Sequence, residues 1–502
     1  MSLITGDKII IIFTVILVGW LVSLVHKTLR PGLRNIPGPW VAKFTQAWRI
    51  GLYGPIVRTA PNVVDISDPT TIATIYGISS KFLKSPFYQT LAVFYQNEVM
   101  NSMFTTTDPQ EHKALKRPVA QKFSMSSLRT LEYLVDPCSD IFIKAMLDLQ
   151  GQVVDLGEWA QWYAFDVIGA ITFSRRFGFM ENRKDVKNII WGIELGLAYA
   201  GIIGQVPWLH RYLLGNLTLR RILHRLGAPD PIAIATEAST EIVTMRNGSA
   251  TDRWDTVRNV LILAHRLAGS DTTGISLRSI FYYLLHDKSA YKTLQNEIDE
   301  ADRAGKLSPI ITFSESLELE YLQSCIKEAL RMHPAVSYPL ERMVPPDGVR
   351  LCGEYLSGGT IVGVNAAVIH RDCDIFGQDA DTFRPERWLH SSEERIKLMD
   401  RHNLAFGAGA RTCIGKNISI MEMSKFIPQV LREFDLEWAS SEPGWRVKTY
   451  WFAKQTGLLA RFRRRDRSVR RELASKMPIL YESSKSSPNA IGGPEQSGDK
   501  PT

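Results

Sequence analysis

The sequence predicts a mainly α-helical chain with a small β region, preceded by one membrane-crossing helix. Three observations carry that prediction. Trp254–His286 is a helical pattern of thirty-three residues without a proline. Tyr321–His333 is a second periodic stretch, closed by Pro334. Strand-like sequence comes in short pieces: Tyr53–Tyr76 alternates and is β-branched, and Ser337–Arg342 and Ile361–Ala366 read as short strands. With 502 residues, 45% of them apolar, size alone allows a large core and more than one domain.

Ile9–Val25 is an uncharged run of seventeen residues. As a helix it spans about 25 Å, the short end for a bilayer. Lys8 and His26-Lys27 can snorkel to lengthen it. No small-x-small cleavage site follows, so a retained anchor is expected rather than a signal peptide. Lys27, Arg30 and Arg34 follow the run, which places the body in the cytosol. Pro31-Gly32 and Pro37-Gly38-Pro39 then stiffen the link to the body. The expected organisation is an anchor and flank over 1–30, one body over 31–466 and a polar, disordered tail over 467–502.

Pro61-Asn62 marks a turn between two short strands, and a helix is expected near Thr70–Tyr76. Phe82–Phe104 is rich in aromatic residues, for which core packing is the default. His112-Lys113-Ala114-Leu115-Lys116-Arg117 opens a further helix, with a solvated basic face as its plain reading. Leu128–Leu223 reads as several amphipathic helices.

The middle of the long helix holds Ala268-Gly269-Ser270-Asp271-Thr272-Thr273. Gly269 weakens the helix locally and leaves room beside it. Asp271 can carry protons and Thr272 can hydrogen-bond a small oxygen ligand, although each has an ordinary reading as a surface acid or a self-bonded hydroxyl. His265 falls on the same face as Ala268 and Thr272, so His265 and Ala268 are candidates for a substrate pocket. Glu328 and Arg331 share a face at i,i+3, a pattern that Glu300 and Arg303 also fit.

The net charge is +8, but much of the excess lies in Arg461–Arg471 and no nucleic-acid motif accompanies it. The five cysteines are scattered, with no C-x-x-C pair, which suits neither a disulfide framework nor a zinc site.

Phe406-Gly407-Ala408-Gly409-Ala410-Arg411-Thr412-Cys413-Ile414-Gly415 sets one cysteine between glycines, ahead of an apolar helical run. A cysteine so placed suits an axial thiolate on haem iron, because backbone N–H groups at a helix start stabilise negative charge. Gly409 and Gly415 allow backbone to pass close to a flat ring, Phe406 can shield the sulfur, and Arg411 can pair with a propionate.

This stretch resembles the haem-binding signature F-G-x-G-x-R-x-C-x-G of the cytochrome P450 family. Ala268–Thr273, Glu328-x-x-Arg331 and Phe383-Arg384-Pro385-Glu386-Arg387-Trp388 are similar to that family's other motifs, in its order. The resemblance covers about Ile36 to Phe462. It is closest in kind to microsomal fungal members of secondary metabolism, of the pisatin-demethylase-like group. It implies a single P450 fold and haem b bound through Cys413. It makes Arg342, His112 and Lys116 further candidates for the haem propionates, though a Trp or His with Arg is usual where this chain has His112 and Lys116. It implies proton delivery by Asp271 and Thr272, a structural triad of Glu328, Arg331 and Arg387, and a substrate roof near Phe104 and Tyr450–Leu459.

The resemblance also implies a lipophilic small-molecule substrate and an endoplasmic reticulum membrane location with a cytosolic body. No G-x-G-x-x-G fingerprint or P-loop is present, so NADPH would act through a separate flavoprotein reductase. Gly227–Trp254 departs from the family by being short. The other functions left open are a haem-thiolate isomerase or dehydratase that does not use dioxygen, and an impaired haem-binding membrane protein.

Overall fold

Short strands and long helices meet along one seam. In a computed structural model of the chain, residues 55–95, 98–226 and 253–466 are described. The anchor run Ile9–Val25, the proline link, residues 227–252 and the tail lie outside them, as do the side chains of His265 and Ala268. The compact unit that holds the described body ends at Arg465.

Strand β1 (Ile56–Ala60) turns at Pro61-Asn62 into β2 (Val63–Ile66), its antiparallel partner. Asp68 accepts the Thr70 N–H ahead of Pro69, and helix α1 (Ile72–Tyr76) follows. Strand β3 is Leu83–Lys84. Helix α2 (Pro109–Lys116) starts at an Asp108 cap and ends ahead of Pro118, which has no N–H to continue the ladder.

Helix α3 (Leu156–Phe173) departs from expectation. It is buried on nearly every side, Gln161 and Asp166 included, so it is an interior helix and not an amphipathic one. Helix α4 (Ile189–Ile203) walls the cavity described below. It lies within Val186–Ile203, the one stretch among the described residues long and apolar enough to cross a bilayer.

The long helix α5 (Arg253–His286) crosses the molecule and packs on α3, on α6 (Glu320–Met332) and on α7 (Lys416–Glu433). Between α6 and α7 come β4 (Arg342–Met343) and β5 (Ile361–Val364). The five strands order as β1-β2-β5-β4-β3, with β5 parallel to β2 and the other pairs antiparallel. The strand expected over Ser337–Arg342 shrinks to β4, since Pro339 has no N–H for a ladder. Asn365 ends β5 by capping a short helix, accepting the Ala367 N–H at 2.9 Å. The main core fills the space between α3, α5, α6 and α7, where the rings of Tyr163 and Phe426 stack at 3.9 Å.

Candidate active site

Cys413 sits in a tight loop just before α7. Its N–H donates to the Phe406 carbonyl at 2.9 Å, and the loop bends through Gly407 and Gly409 at φ +68° and +63°. A Cβ on Gly409 would lie 1.7 Å from the Tyr76 carbonyl oxygen of α1. Glycine at 409 is therefore required by packing on α1, not by closeness to a ring, and it does not line the cavity. Gly415 does line it, as do Phe406 and Arg411.

The Cys413 thiol opens onto that cavity while protein encloses its other sides. Burial pushes the thiol up, against the pull of the Gly415 and Lys416 N–H groups and the Lys416 ammonium. A cation bound on the open side would complete the stabilisation of a thiolate there.

The cavity measures about 420 Å³. Its far side carries Gly269 and Thr272 of α5, and its apolar wall includes Phe104, Leu340 and Trp451. Phe104 packs edge-on against Tyr88 and Trp451. Phe87 is fully buried behind this wall, stacked on Tyr338 and Trp451, so the aromatic run divides into lining and backing residues.

A second cavity of about 480 Å³ adjoins the first. The residues common to both linings are Lys84, His112, Lys116, Arg342 and Arg411, all of them basic. Arg342, His112, Lys116 and Arg411 are the sequence candidates for propionate contacts, and the fold brings them together. Lys84 was missed. It lies directly across the ladder from Arg342, where like charges destabilise.

Asp108 and Glu111 act on Arg411 from outside both linings. The one acid on either lining is Glu422 of α7. Burial holds Lys84 well below its ordinary range, and Arg342 and Arg411 push it further down. Arg411 falls to about 10, through burial and then the neighbouring Arg342. Arg411 otherwise donates to the Met103 and Asp108 carbonyls at 3.2 and 3.4 Å, and Lys116 to the Ala410 carbonyl at 3.2 Å. A wall of buried and half-buried basic side chains beside a cavity-facing thiol fits a group with a central metal and peripheral carboxylates, which is the chemistry of haem.

Asp271 and Thr272 point different ways. Thr272 faces the cavity. Asp271 is 4% exposed and does not line it, so it is neither a surface acid nor a wall residue. Its Oδ1 accepts from Gln161 Nε2 of α3, and burial pushes its carboxyl up to about 6, against Arg278 and Gln161.

The triad is assembled, and it is larger than its three members. Arg331 donates to both oxygens of Glu328 at 2.9 and 2.8 Å, and Arg387 donates to Glu328 Oε1 at 3.2 Å. Trp388 adds a bond to Glu328 Oε2 at 2.9 Å. These groups are buried, and the guanidiniums hold Glu328 below the usual carboxylate range even though burial opposes them.

His370, unmarked in the sequence, connects the triad to the cysteine loop. Its Nδ1 bonds the Arg331 carbonyl at 2.9 Å, and its Nε2 accepts the Leu404 N–H at 2.8 Å, just before Phe406. Glu300 and Arg303, by contrast, are exposed and make no such set.

The sequence model of the family described as cytochrome P450 matches residues 51–224 and 243–454. The gap in that match, residues 225–242, overlaps the short region noted in the sequence. A cytochrome P450 monooxygenase of Aspergillus terreus is 34% identical over 458 residues, 83% of this chain and 92% of the relative. The monooxygenase gsfF of Penicillium aethiopicum is 36% identical over 485 residues, 88% of this chain and 95% of the relative. The monooxygenase cicH of Emericella nidulans is 35% identical over 491 residues, 89% of this chain and 97% of the relative.

Proposed function

The chain belongs to the cytochrome P450 family and is a monooxygenase, and from that premise we propose that it oxygenates a lipophilic small molecule of fungal secondary metabolism or detoxification. The observation that carries this reading is one cavity onto which the Cys413 thiol, the basic wall and Thr272 all open.

Haem, when bound, supplies the activation of dioxygen. Cys413 Sγ would ligate the iron. Lys84, Arg342 and Arg411, with His112 and Lys116 beside them, would hold the propionates. Phe104, Leu340 and Trp451 offer an apolar surface to substrate and exclude water from it. Asp271, raised to about 6, can exchange a proton near neutral pH, and Thr272, next in sequence, faces the cavity with its hydroxyl donating to the Gly269 carbonyl at 3.4 Å. In the net reaction one oxygen atom enters a C–H bond, giving hydroxylation or O-dealkylation, or adds across a C=C bond, giving epoxidation. The other leaves as water, with two electrons from NADPH and two protons consumed.

The electrons come from a separate NADPH-dependent flavoprotein reductase. The first segment of the chain anchors the body to the endoplasmic reticulum membrane on its cytosolic side.

The test is the reduced, carbon-monoxide-bound absorbance spectrum of the purified protein, followed by turnover with reductase under ¹⁸O₂. A thiolate-type red-shifted Soret band, lost in Cys413→Ser, and a single ¹⁸O atom in the product are expected. Product formed without label from dioxygen would overturn the monooxygenase reading.

A further inference from the structure

We propose that Gln161 and Arg278 are positioning residues for Asp271: a hydrogen-bonded chain from Arg278 of α5 through Gln161 of α3 that fixes one carboxyl oxygen and sets how tightly the acid keeps its proton. This rests on the proton-donor reading of Asp271 given above.

The chain has one direction. Arg278 can only donate. Its Nη2 lies 2.8 Å from Gln161 Oε1 and its Nε 2.8 Å from the Gly157 carbonyl. The amide oxygen of Gln161 is therefore engaged, and the NH₂ group must face Asp271 Oδ1. That oxygen can only accept, so the contact favours the charged acid and opposes the burial that favours the neutral one.

Close approach of the helices makes this reach possible. A Cβ on Gly274, three residues after Asp271, would lie 3.1 Å from the Gln161 Cα.

The network is poorly explained as a stabilising device. Gln161 and Arg278 are each 3% exposed, where α3 packs on α5. Arg278 Nη1 is buried without a hydrogen-bond partner. Buried polar groups left incomplete cost free energy, and apolar side chains would pack the same space. The set is instead suited to holding a carboxyl partway between its two states. Asp155 and Glu158 of the α3 start face Arg278, Lys454 lies near Glu158, and Asp185 adds a weak negative field at Asp271. The sequence carried no sign of this, because a lone glutamine in an apolar helix matches no motif.

The experiment uses the haem-loaded, full-length protein and needs no substrate. The infrared C=O band of the protonated Asp271 carboxyl is titrated, assigned by its loss in Asp271→Asn. Gln161→Leu should move the midpoint up by about one pH unit, a tenfold rise in proton affinity. Gln161→Glu keeps the bond to Arg278, guards against misfolding and should also move the midpoint up. The pH profile of hydrogen peroxide released per NADPH, with reductase present, should shift in step. A midpoint unmoved in either folded variant, judged by melting temperature and the carbon-monoxide spectrum, overturns the proposal. If Asp271→Asn leaves the peroxide profile unchanged, the proton-donor reading falls instead, and the infrared midpoint still decides the positioning role.

Discussion

Glu328 and Asp271 are both carboxylates removed from water, and they end in opposite states. Glu328 is ringed by two guanidiniums, an indole N–H and the Arg384 N–H, and stays ionised. Asp271 has one amide and a more distant guanidinium, and its proton affinity rises towards neutrality. Glu422 extends the series: its Oε2 has no partner, and burial alone pushes it well above the usual range. The number and charge of donors, not depth, separates a carboxylate that braces the fold from one that can exchange a proton.

The largest effect should come from breaking the brace. Glu328→Gln leaves Arg331 without its anion in the interior, while Arg387 keeps Asp379 at 2.7 Å, and should destabilise the protein by about 3–5 kcal/mol in denaturant unfolding. A loss below about 1 kcal/mol would mean the guanidiniums find other anions. Next is the histidine that ties the brace to the cysteine loop. Burial pushes His370 down to about 3, so it is neutral when folded but protonates near 6.5 when unfolded. Between those values the unfolded chain binds more protons. Stability is full above about 6.5 and falls with pH by about 1.4 kcal/mol per unit. Replacing His370 by glutamine should flatten that slope, and an unchanged slope would assign it elsewhere. The smallest effect tests the lookalike pair. Glu300→Gln at the surface should change the unfolding free energy by less than about 0.5 kcal/mol, and a larger change would mean that exposure is a poor guide here.

The cysteine loop and the Asp271-Thr272 pair were legible because their residues are contiguous and their spacing follows one loop or helix. Glu328 and Arg331 were legible by the same rule but indistinguishable from Glu300 and Arg303 until burial separated them. Lys84, His370 and Gln161 were not legible. Each acquires its role from a partner on a distant element: Arg342 across a ladder, Leu404 beyond a turn, Asp271 on another helix. The helices were placed well because periodicity is a local signal. The strand expected over Ser337–Arg342 is shorter in the fold because Pro339 lacks the N–H that a ladder needs. The burial of α3 was missed because an interior helix keeps polar residues that resemble an outward face.

The rung joining β3 to β4 sets Lys84 against Arg342, with Arg411 close by. Like charges on one rung work against the pairing of β3 with β4, so an anion held between them would steady the sheet as well as fill the cavity.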